Sequence, residues 1–175
     1  MKHFLISRIF WKIVYFRNPV KYARKIGVTI GEGSNFVDFP SFSSEPWLIS
    51  IGDRTRISSD VSFITHDGGR WVLDHIFPSD APFYKIGPIR IGNNCFVGMR
   101  TIILPNVSIS DNCVIGGGSV VTKNIPAGQV WAGVPAHFIC TIEEYRERML
   151  RHKKDINWNA YWNDKEKELK RVFDF

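Results

Sequence analysis

The sequence predicts an all-β fold, a parallel β-helix whose six-residue repeats stack into coils between short terminal helices. An aliphatic or small residue returns every six positions, in the series Ile91, Val97, Ile103, Ile109, Ile115, Val121, Ala127 and Gly133. Four residues after each lies a second candidate for the core, in the series Cys95, Thr101, Val107, Cys113, Ser119, Ile125 and Trp131. A period of six fits neither an amphipathic helix nor an alternating strand. Each repeat is therefore predicted to form one short strand and a corner.

The residue after each aliphatic position is usually small, as at Gly92, Gly98 and Gly116. We expect these residues to occupy the corners, where a small side chain permits backbone conformations that larger ones resist. Successive coils should stack about 4.8 Å apart, as strands do in a parallel sheet. Because one coil alone cannot bury its inner residues, the stability should be cooperative along the stack.

Two shorter runs with the same pattern begin at Ile30 and at Ile51. The register breaks between Phe63 and Ile91, because their separation of 28 residues is not a multiple of six. The intervening segment is rich in glycine, proline and aromatic residues, which predicts a loop over residues 67–88 that is extruded from one corner. Long ordered loops in compact domains usually serve a function.

The ends of the chain differ from the repeats. We divide the chain into a helical cap over residues 1–25, a β-helix over residues 26–139 and a helical segment over residues 140–175. One helix is predicted to end at Asn18, and a second to cover Val20 to Ile26. Thr141 and Glu144 form a capping-box pattern that opens a charged helix, and a further helix is predicted over residues 165–173. These helices are expected to cap the open ends of the stack.

Lysine and arginine outnumber aspartate and glutamate by 23 to 17, which gives a net charge of +6. The basic residues cluster near both ends, and the repeats carry no nucleic-acid motif, so nucleic acid is not expected as a partner. The charge instead suits anionic small molecules or an acidic membrane surface. The N-terminal stretch places aromatic residues between basic ones, which predicts a cap helix, with peripheral membrane contact as the alternative.

Neither a membrane span nor a secretory signal fits the N-terminal stretch, because basic residues interrupt it and no small-residue cleavage site follows. The three cysteines, Cys95, Cys113 and Cys140, are odd in number and form no CxxC pair. This pattern predicts a reducing compartment and cysteines that pack in the core. We therefore expect a cytoplasmic protein, and the inner face of the membrane is the alternative location.

The strings IGNNCFVG, ILPNVSISDNCVIGGGSVVTKNIP and AGVPA resemble the hexapeptide-repeat acetyltransferases. FSSEPWLISIGD and FITHDGG are most similar to the O-acetyltransferases of surface polysaccharide synthesis, such as capsule or O-antigen. The resemblance implies three hexapeptides per coil, wound left-handed against the usual crossover rule. It also implies a homotrimer with sites between subunits, where acetyl-CoA gives its acetyl group directly to the hydroxyl of a sugar or glycan.

A hydroxyl is a poor nucleophile until its proton is removed, and histidine is the side chain best suited to this at neutral pH. The resemblance assigns this general base to His66, immediately before the predicted loop. The group that orients it stays open among Asp38, Glu45, Asp60, Asp74 and a backbone carbonyl. Glu45 is favoured, because it belongs to the SSEPWLISIGD motif. The candidates for binding the sugar are Asp38, Glu45 and Trp71.

For the acyl donor, the resemblance implies backbone N–H donors at Gly98 and Met99 for the thioester oxygen, where negative charge develops. It implies contacts with coenzyme A at Gly117, Thr122 and Lys123. The lysine would meet a phosphate, although a solvated surface lysine is an equally good interpretation of that position. Backbone donors leave no compositional signal, so these positions rest on the resemblance.

Two positions depart from the family pattern after the GVPA segment. His137 stands where relatives often carry arginine or lysine, and Cys140 stands where some carry a second arginine. A neutral histidine binds phosphate weakly, so the affinity for the nucleotide end of coenzyme A is expected to suffer. His137 remains a candidate contact for that phosphate.

Four other functions are found on the same scaffold, and one of them is the acetylation of serine or an antibiotic by a small-molecule acetyltransferase. N-acetylation of an amino sugar uses the same scaffold, and nothing in the sequence separates an amine from a hydroxyl acceptor. A non-catalytic assembly module would keep the scaffold, but the presence of His66, the loop and GVPA argues against it. A metal-dependent carbonic anhydrase would need three converging histidines, whereas the repeat region has His66 and His137 only, so no metal is predicted.

Overall fold

The computed structural model describes residues 18–78 and 84–174 of the chain. The chain divides into two compact units, of which the first ends at Ile142 and the second begins at Glu143. The helix predicted to end at Asn18, and the membrane contact considered for the same stretch, lie outside the described residues.

The first unit is built from short strands that follow one another along the chain, as the six-residue period predicts. The strands are β1 (Thr29–Ile30), β2 (Asn35–Phe36), β3 (Ser41–Phe42), β4 (Ile49–Ile51), β5 (Arg56–Ile57), β6 (Ser62–Phe63), β7 (Ile89–Ile91), β8 (Phe96–Val97), β9 (Ile102–Ile103), β10 (Ser108–Ile109), β11 (Val114–Ile115), β12 (Val120–Val121), β13 (Gln129–Ala132) and β14 (His137–Thr141).

Successive strands join three sheets in turn, so the chain returns to the same sheet three strands later. Sheet 1 has the order β1-β4-β7-β10, sheet 2 has β2-β5-β8-β11-β13-β14, and sheet 3 has β3-β6-β9-β12. After β12, a parallel bridge from Ile125 to Ile109 continues sheet 1. Neighbouring strands are parallel except β13 and β14, which are antiparallel. The predicted three-sided parallel coil is confirmed, and its left-handed sense stays a prediction.

The register between coils gives the length of each coil. Ile91 pairs with Ile109 eighteen residues later, which is three hexapeptides. Ile51 pairs with Ile91, forty residues later, so this coil is twenty-two residues longer and its extra residues form the extruded loop. The last coil is two residues shorter than the regular one, because Ile115 pairs with Trp131.

The two predicted side-chain series line the core, with two exceptions. Every residue of both series is buried except Ala127, which is exposed, and Gly133, which is half-buried. Both lie in the shortened last coil, where Trp131 takes the place that Ile115 holds in the coil before. The six-residue register therefore ends near Ile125, and the prediction that Ala127 and Gly133 continue it is wrong.

The glycines after the aliphatic positions have a different role from the one predicted. Gly92, Gly98 and Gly116 do not have positive φ. A Cβ on Gly92 would instead meet the side chain of Asp111 and the backbone of the next coil. Backbones with positive φ occur two residues after the small-residue position of the repeat. These residues are Arg54, Asp60, Asn94, Arg100, Asn106 and Asn112. The glycines are thus required by the close approach of two coils rather than by backbone conformation.

Helix α1 (Pro19–Lys25) covers the first coil and packs on β1 and β2. The side chain of Asn18 caps its first turn, where the proline ring fits because no N–H is needed. Arg24 donates a hydrogen bond of 2.8 Å to the carbonyl of Ile30, which ties the helix to the coil. The helix predicted over Val20 to Ile26 is confirmed.

The extruded loop contains a helix, α2 (Arg70–Ile76), so the all-β prediction is wrong for this segment. The segment lacks the alternation that a strand requires. Arg70 and Asp74 are four residues apart and form an ion pair of 2.5 Å, a spacing that supports a helix. Sequence reasoning treated the segment as irregular because glycine and proline surround it.

The C-terminal helices are α3 (Ile142–Arg151), α4 (Trp158–Asn163) and α5 (Lys165–Phe173). Helix α3 begins one residue after Thr141, and α5 has the predicted bounds, so both helix predictions are confirmed. The side chains of Asn157 and Asp164 cap α4 and α5 by accepting hydrogen bonds from the backbone of the first turn. No helix in the described ranges is both long enough and apolar enough to cross a membrane.

Replacing Gly92 by alanine is expected to lower the free energy of unfolding by about 1–3 kcal/mol, because the added Cβ overlaps the next coil. Gly68→Ala is the matched control, since a Cβ there meets nothing within 4 Å and should change the stability by less than about 0.5 kcal/mol. Urea denaturation followed by circular dichroism measures both variants. Equal denaturation midpoints would contradict the role assigned to Gly92.

Candidate active site

All the predicted site residues except His137 lie on two corners of the β-helix, one at each side of sheet 3. The histidine corner follows the strands of sheet 3 and comprises residues 43–48, 64–78, 84–88, 104–107 and 122–124. The glycine corner precedes those strands and comprises residues 37–40, 58–61, 98–101 and 116–119. The histidine corner holds Glu45, His66, Trp71, Thr122 and Lys123. The glycine corner holds Asp38, Gly98, Met99 and Gly117.

One chain does not bring the two corners together. The backbone N–H of Ile64 donates to the carbonyl of Ile103, so His66 lies beside the residues that follow β9. Met99 lies before β9. The segment from Thr101 to Leu104 includes β9 and lies between them, and an extended segment of this length spans about 10 Å. Nine of the ten predicted residues therefore form two groups within the protomer rather than one site, and His137 belongs to neither group.

The centre of the histidine corner is a hydrogen bond between His66 and Glu45. His66 Nδ1 lies 2.9 Å from Oε2 of Glu45, and the two residues are one coil apart in the stack, because Phe42 pairs with Phe63. The His66 side chain is 36% exposed and that of Glu45 is 21% exposed. The imidazole is thus open to a reactant, whereas the carboxylate is largely covered.

The Glu45 carboxylate is held by further donors. Thr65 Oγ1 donates a hydrogen bond of 2.6 Å to the same oxygen that receives His66. Burial by itself raises the pKa of the Glu45 carboxyl, but hydrogen bonds from Thr65, His66 and Ser44 outweigh burial and lower this pKa below its ordinary value. A carboxylate that stays charged is a strong acceptor for an imidazole N–H.

Local structure explains how these side chains meet. Thr65 is buried and His66 is not, because neighbouring side chains in an extended chain point to opposite faces. One coil earlier, a 3-10 turn over Pro46–Leu48 begins after Glu45, and the N–H of Leu48 donates to its carbonyl. This turn occupies the histidine corner of the preceding coil, so the Glu45 carboxylate lies next to His66 along the stack.

The extruded loop leaves and returns at the histidine. His66 forms an antiparallel bridge with Ile86, and the N–H of Asp67 donates to the carbonyl of Lys85. Within the loop the Arg70 guanidinium lies 5.1 Å from the centre of the Tyr84 ring. Trp71 on α2 is 76% exposed. The loop is therefore anchored beside the imidazole and presents exposed aromatic side chains.

The glycine corner is a place of close backbone approach. A Cβ on Gly98 would overlap the backbone of Gly117 in the next coil. The N–H of Gly118 donates to the carbonyl of Met99, whose side chain is about half exposed. Asp38 is exposed at the same corner, two coils earlier, and its carboxylate accepts a hydrogen bond from the next backbone N–H. The two coils are therefore in close backbone contact at this corner, with Met99 exposed beside them.

The remaining candidates for coenzyme A lie in the last coils. Thr122 and Lys123 are exposed, and the Lys123 ammonium lies 5.2 Å from the centre of the Trp131 ring, which restricts its position. His137 is exposed at the start of β14, with its ring against Gly133. Cys140 is buried, so that position offers no phosphate contact.

The described residues contain no group of three histidine, cysteine or acidic side chains that could hold a metal ion. Cys95 and Cys113 are buried free thiols, and each donates to backbone carbonyls, for example from Cys95 to Ser110 at 3.2 Å. These contacts are those of packed core residues. The predicted core role of the two cysteines agrees with their positions.

Comparison with known proteins identifies the family. Residues 88–123 match the family model described as "Bacterial transferase hexapeptide (six repeats)". The chain is 40% identical to Protein CapG of Staphylococcus aureus over 159 residues, covering 88% of this chain and 91% of CapG. The chain belongs to the hexapeptide-repeat acetyltransferases. It is also 36% identical to galactoside O-acetyltransferase of Escherichia coli K12 over 119 residues, which covers 67% of this chain and 57% of that enzyme.

Solved structures of hexapeptide-repeat acetyltransferases share the fold. A maltose O-acetyltransferase from Clostridium difficile 630 matches with a TM-score of 0.53 and 31% identity, covering 66% of this chain and 59% of that one. A galactoside acetyltransferase in complex with coenzyme A matches with a TM-score of 0.52 and 27% identity, covering 73% and 71%. The protein is thus an acetyltransferase by family as well as by fold.

Sequence reasoning missed Thr65 and Ser44, which contribute to holding the Glu45–His66 pair. The Thr65 hydroxyl is fully buried and donates to Glu45, and Ser44 Oγ lies 3.5 Å from His66 Nδ1. A usable signal existed for Thr65, because it lies two residues after Phe63, and alternate residues of an extended chain point to the same face. A polar residue at such a position needs a partner.

The Glu45 hydrogen bonds should make the stability depend on pH. The folded-state pKa of Glu45 lies below its ordinary value of 4.5, so these contacts stabilise the fold fully above that pH and are lost as the pH falls below it. The advantage of wild type over Glu45→Gln should be about 1–2 kcal/mol at pH 7 and should shrink at pH 3. Urea denaturation at both pH values measures it. A difference that does not change with pH would contradict the charged hydrogen bonds.

Proposed function

We propose that the protein transfers an acetyl group from acetyl-CoA to a sugar hydroxyl, with His66 as the general base. The observation that carries the proposal is the hydrogen bond of 2.9 Å between His66 Nδ1 and Glu45. It supplies an oriented and exposed imidazole beside an extruded loop. Two similar proteins whose names state a substrate are a galactoside and a maltose O-acetyltransferase, which supports a sugar acceptor.

The dyad is suited to removing a hydroxyl proton. When Nδ1 donates its hydrogen to the Glu45 carboxylate, Nε2 carries the lone pair that accepts the proton. The acceptor oxygen then attacks the thioester carbonyl while it loses its proton to His66. When the tetrahedral intermediate collapses, the C–S bond breaks, and coenzyme A leaves as the thiol after it takes this proton from the imidazolium. Glu45 stabilises the imidazolium that forms, so Glu45 acts as a positioning residue in this proposal. Direct transfer needs no cysteine nucleophile, in keeping with the buried thiols.

The separation of the two corners supports a site between copies of the chain. Negative charge develops on the thioester oxygen, which needs a backbone donor. The prediction for Gly98 is wrong, because its N–H already donates to the carbonyl of Ile115 at 2.8 Å. The N–H of Met99 is therefore the proposed donor, with Gly98 beside it. They lie across sheet 3 from His66 in the same protomer. In a homotrimer the glycine corner of one copy would face the histidine corner of the next, which would also bring Asp38 and Gly117 to the histidine.

The acyl donor would lie between the same two corners. In the proposed arrangement its pantetheine arm follows the close-packed backbone near Gly117 and Thr122, while Lys123 meets a phosphate. The similar galactoside acetyltransferase was solved with coenzyme A, which supports this donor. His137 is a weaker phosphate contact than arginine or lysine would be.

The acceptor is proposed to be a sugar of surface polysaccharide, held partly by the aromatic side chain of Trp71. The motifs FSSEPWLISIGD and FITHDGG contribute Glu45 and His66 and carry the similarity to that group of enzymes. Free thiols at all three cysteines suit a reducing compartment, and a cytoplasmic location is proposed on that basis.

Purified protein should release free coenzyme A thiol from acetyl-CoA when it is given sugar acceptors. Galactosides and maltose test hydroxyl transfer, and an amino sugar tests the alternative of N-acetylation. Mass spectrometry identifies the acetylated product, and mild alkali distinguishes an ester, which is cleaved, from an amide, which is retained. Turnover that requires an amine, with no ester formed on any sugar, would overturn the O-acetyltransferase proposal.

His66→Ala should lower acetyl transfer by about 10²-fold or more, because the hydroxyl then loses its general base. Glu45→Gln should reduce kcat to a smaller extent, since it weakens orientation and leaves the imidazole in place. His152→Ala, in the C-terminal unit, is the matched control and should retain wild-type turnover. Wild-type turnover by His66→Ala would remove this residue from the mechanism.

A further inference from the structure

The second unit, residues 143–174, has a surface that the proposed chemistry does not use. Among its described residues none of the apolar side chains is buried, and the one buried residue is Glu168. The exposed apolar side chains of this unit are Met149, Leu150, Trp158, Trp162 and Phe173. Trp158 and Trp162 both contact Tyr161, and an exposed aromatic cluster of this kind indicates a surface that contacts a partner.

Helix α4 shows which way the aromatic side chains point. Ala160 and Asn163 line a groove against α5. Trp158 and Trp162 are four residues apart on the opposite face and are 56% and 78% exposed. The Tyr161 ring contacts both indoles, at 5.4 Å and 5.1 Å between ring centres. Helix α4 thus packs on α5 through its small residues and turns an aromatic face away from it.

Helix α3 combines an apolar stripe with ordered charges. Tyr145 and Met149 are four residues apart and share one face. At 100° per residue, Arg146 and Arg148 lie on either side of that stripe. The glutamates lie round the other side of the helix, at positions 143, 144 and 147. Positive charge therefore flanks the apolar stripe, and negative charge is kept away from it.

The positive charge continues beyond the helix. Residues 146–154 contain five arginines and lysines and a single acidic residue. Tryptophan rings and basic side chains are the combination that favours the headgroup region of a bilayer, where rings insert and charges meet anionic lipids. The same charge opposes pairing of two copies through this surface, because like charges would be brought together.

We propose that the second unit docks on an anionic lipid bilayer through the basic segment 146–154 and the aromatic face of α4. The apolar side chains enter the interfacial region, and the arginines and lysines contact lipid phosphates. The binding is peripheral and reversible, since it uses short interfacial helices. This inference does not depend on the identity of the acetyl acceptor.

The test is co-sedimentation of the full-length protein with vesicles. Wild type should bind vesicles of phosphatidylcholine with phosphatidylglycerol, and binding should fall at high salt and with phosphatidylcholine alone. Arg146→Gln with Arg148→Gln should weaken binding by about tenfold, and Trp158→Ser with Trp162→Ser by a similar factor. Arg56→Gln with Arg90→Gln is the control of equal charge, made at exposed residues of the first unit, and should bind as wild type does.

Three results would overturn the proposal. The first is no binding of wild type to the anionic vesicles, and the second is equal weakening by the control pair. The third is a change in assembly mass for the tryptophan variant in sedimentation without lipid, which would make the aromatic face an interface between copies. Turnover of acetyl-CoA with a free sugar should be unchanged in all variants, which separates this test from that of the proposed function.

Discussion

The candidate site depends on the backbone register between successive coils. The pairing of Phe42 with Phe63 stacks two corners, so that a carboxylate from one coil meets an imidazole from the next. Thr65 faces inward and donates to Glu45, while His66 faces outward. A slip of one residue would exchange the two side chains, burying the imidazole and exposing the threonine. The arrangement of Glu45 and His66 is therefore specified by the hydrogen bonds of the main chain between coils as much as by the two side chains themselves.

Much of the fold could be predicted from the sequence because one period controls both burial and strand pairing. The six-residue recurrence places Val97, Ile103 and Ile109 inward, and each is buried. The prediction failed in the shortened last coil, where the six-residue period stops. It also failed in the extruded loop, where the Arg70–Asp74 ion pair supports a helix instead of an irregular segment. It also misjudged the glycines, since the distance between two coils is a three-dimensional quantity that residue spacing does not record.

The site was less predictable than the fold. The sequence offered several acids as partners of His66, and the choice of Glu45 depends on a 3-10 turn that no periodic pattern indicates. Likewise, the six-residue period assigns a residue to one of the three sides of a coil only when the side of one reference strand is already known. The sheet order places Gly98 and His66 at different corners. This separation supports the proposal that the site forms between copies of the chain.

The ends of the stack also differ from its middle. At one end α1 covers the first coil and Arg24 occupies a carbonyl oxygen of β1, and at the other β14 turns back antiparallel along β13. A parallel stack offers the same hydrogen-bonding edge at every level, which invites further chains to add on. With a helix at one edge and a reversed strand at the other, end-to-end polymerisation into fibres is disfavoured. A second copy therefore cannot continue sheet 2 beyond β14 as another regular parallel coil.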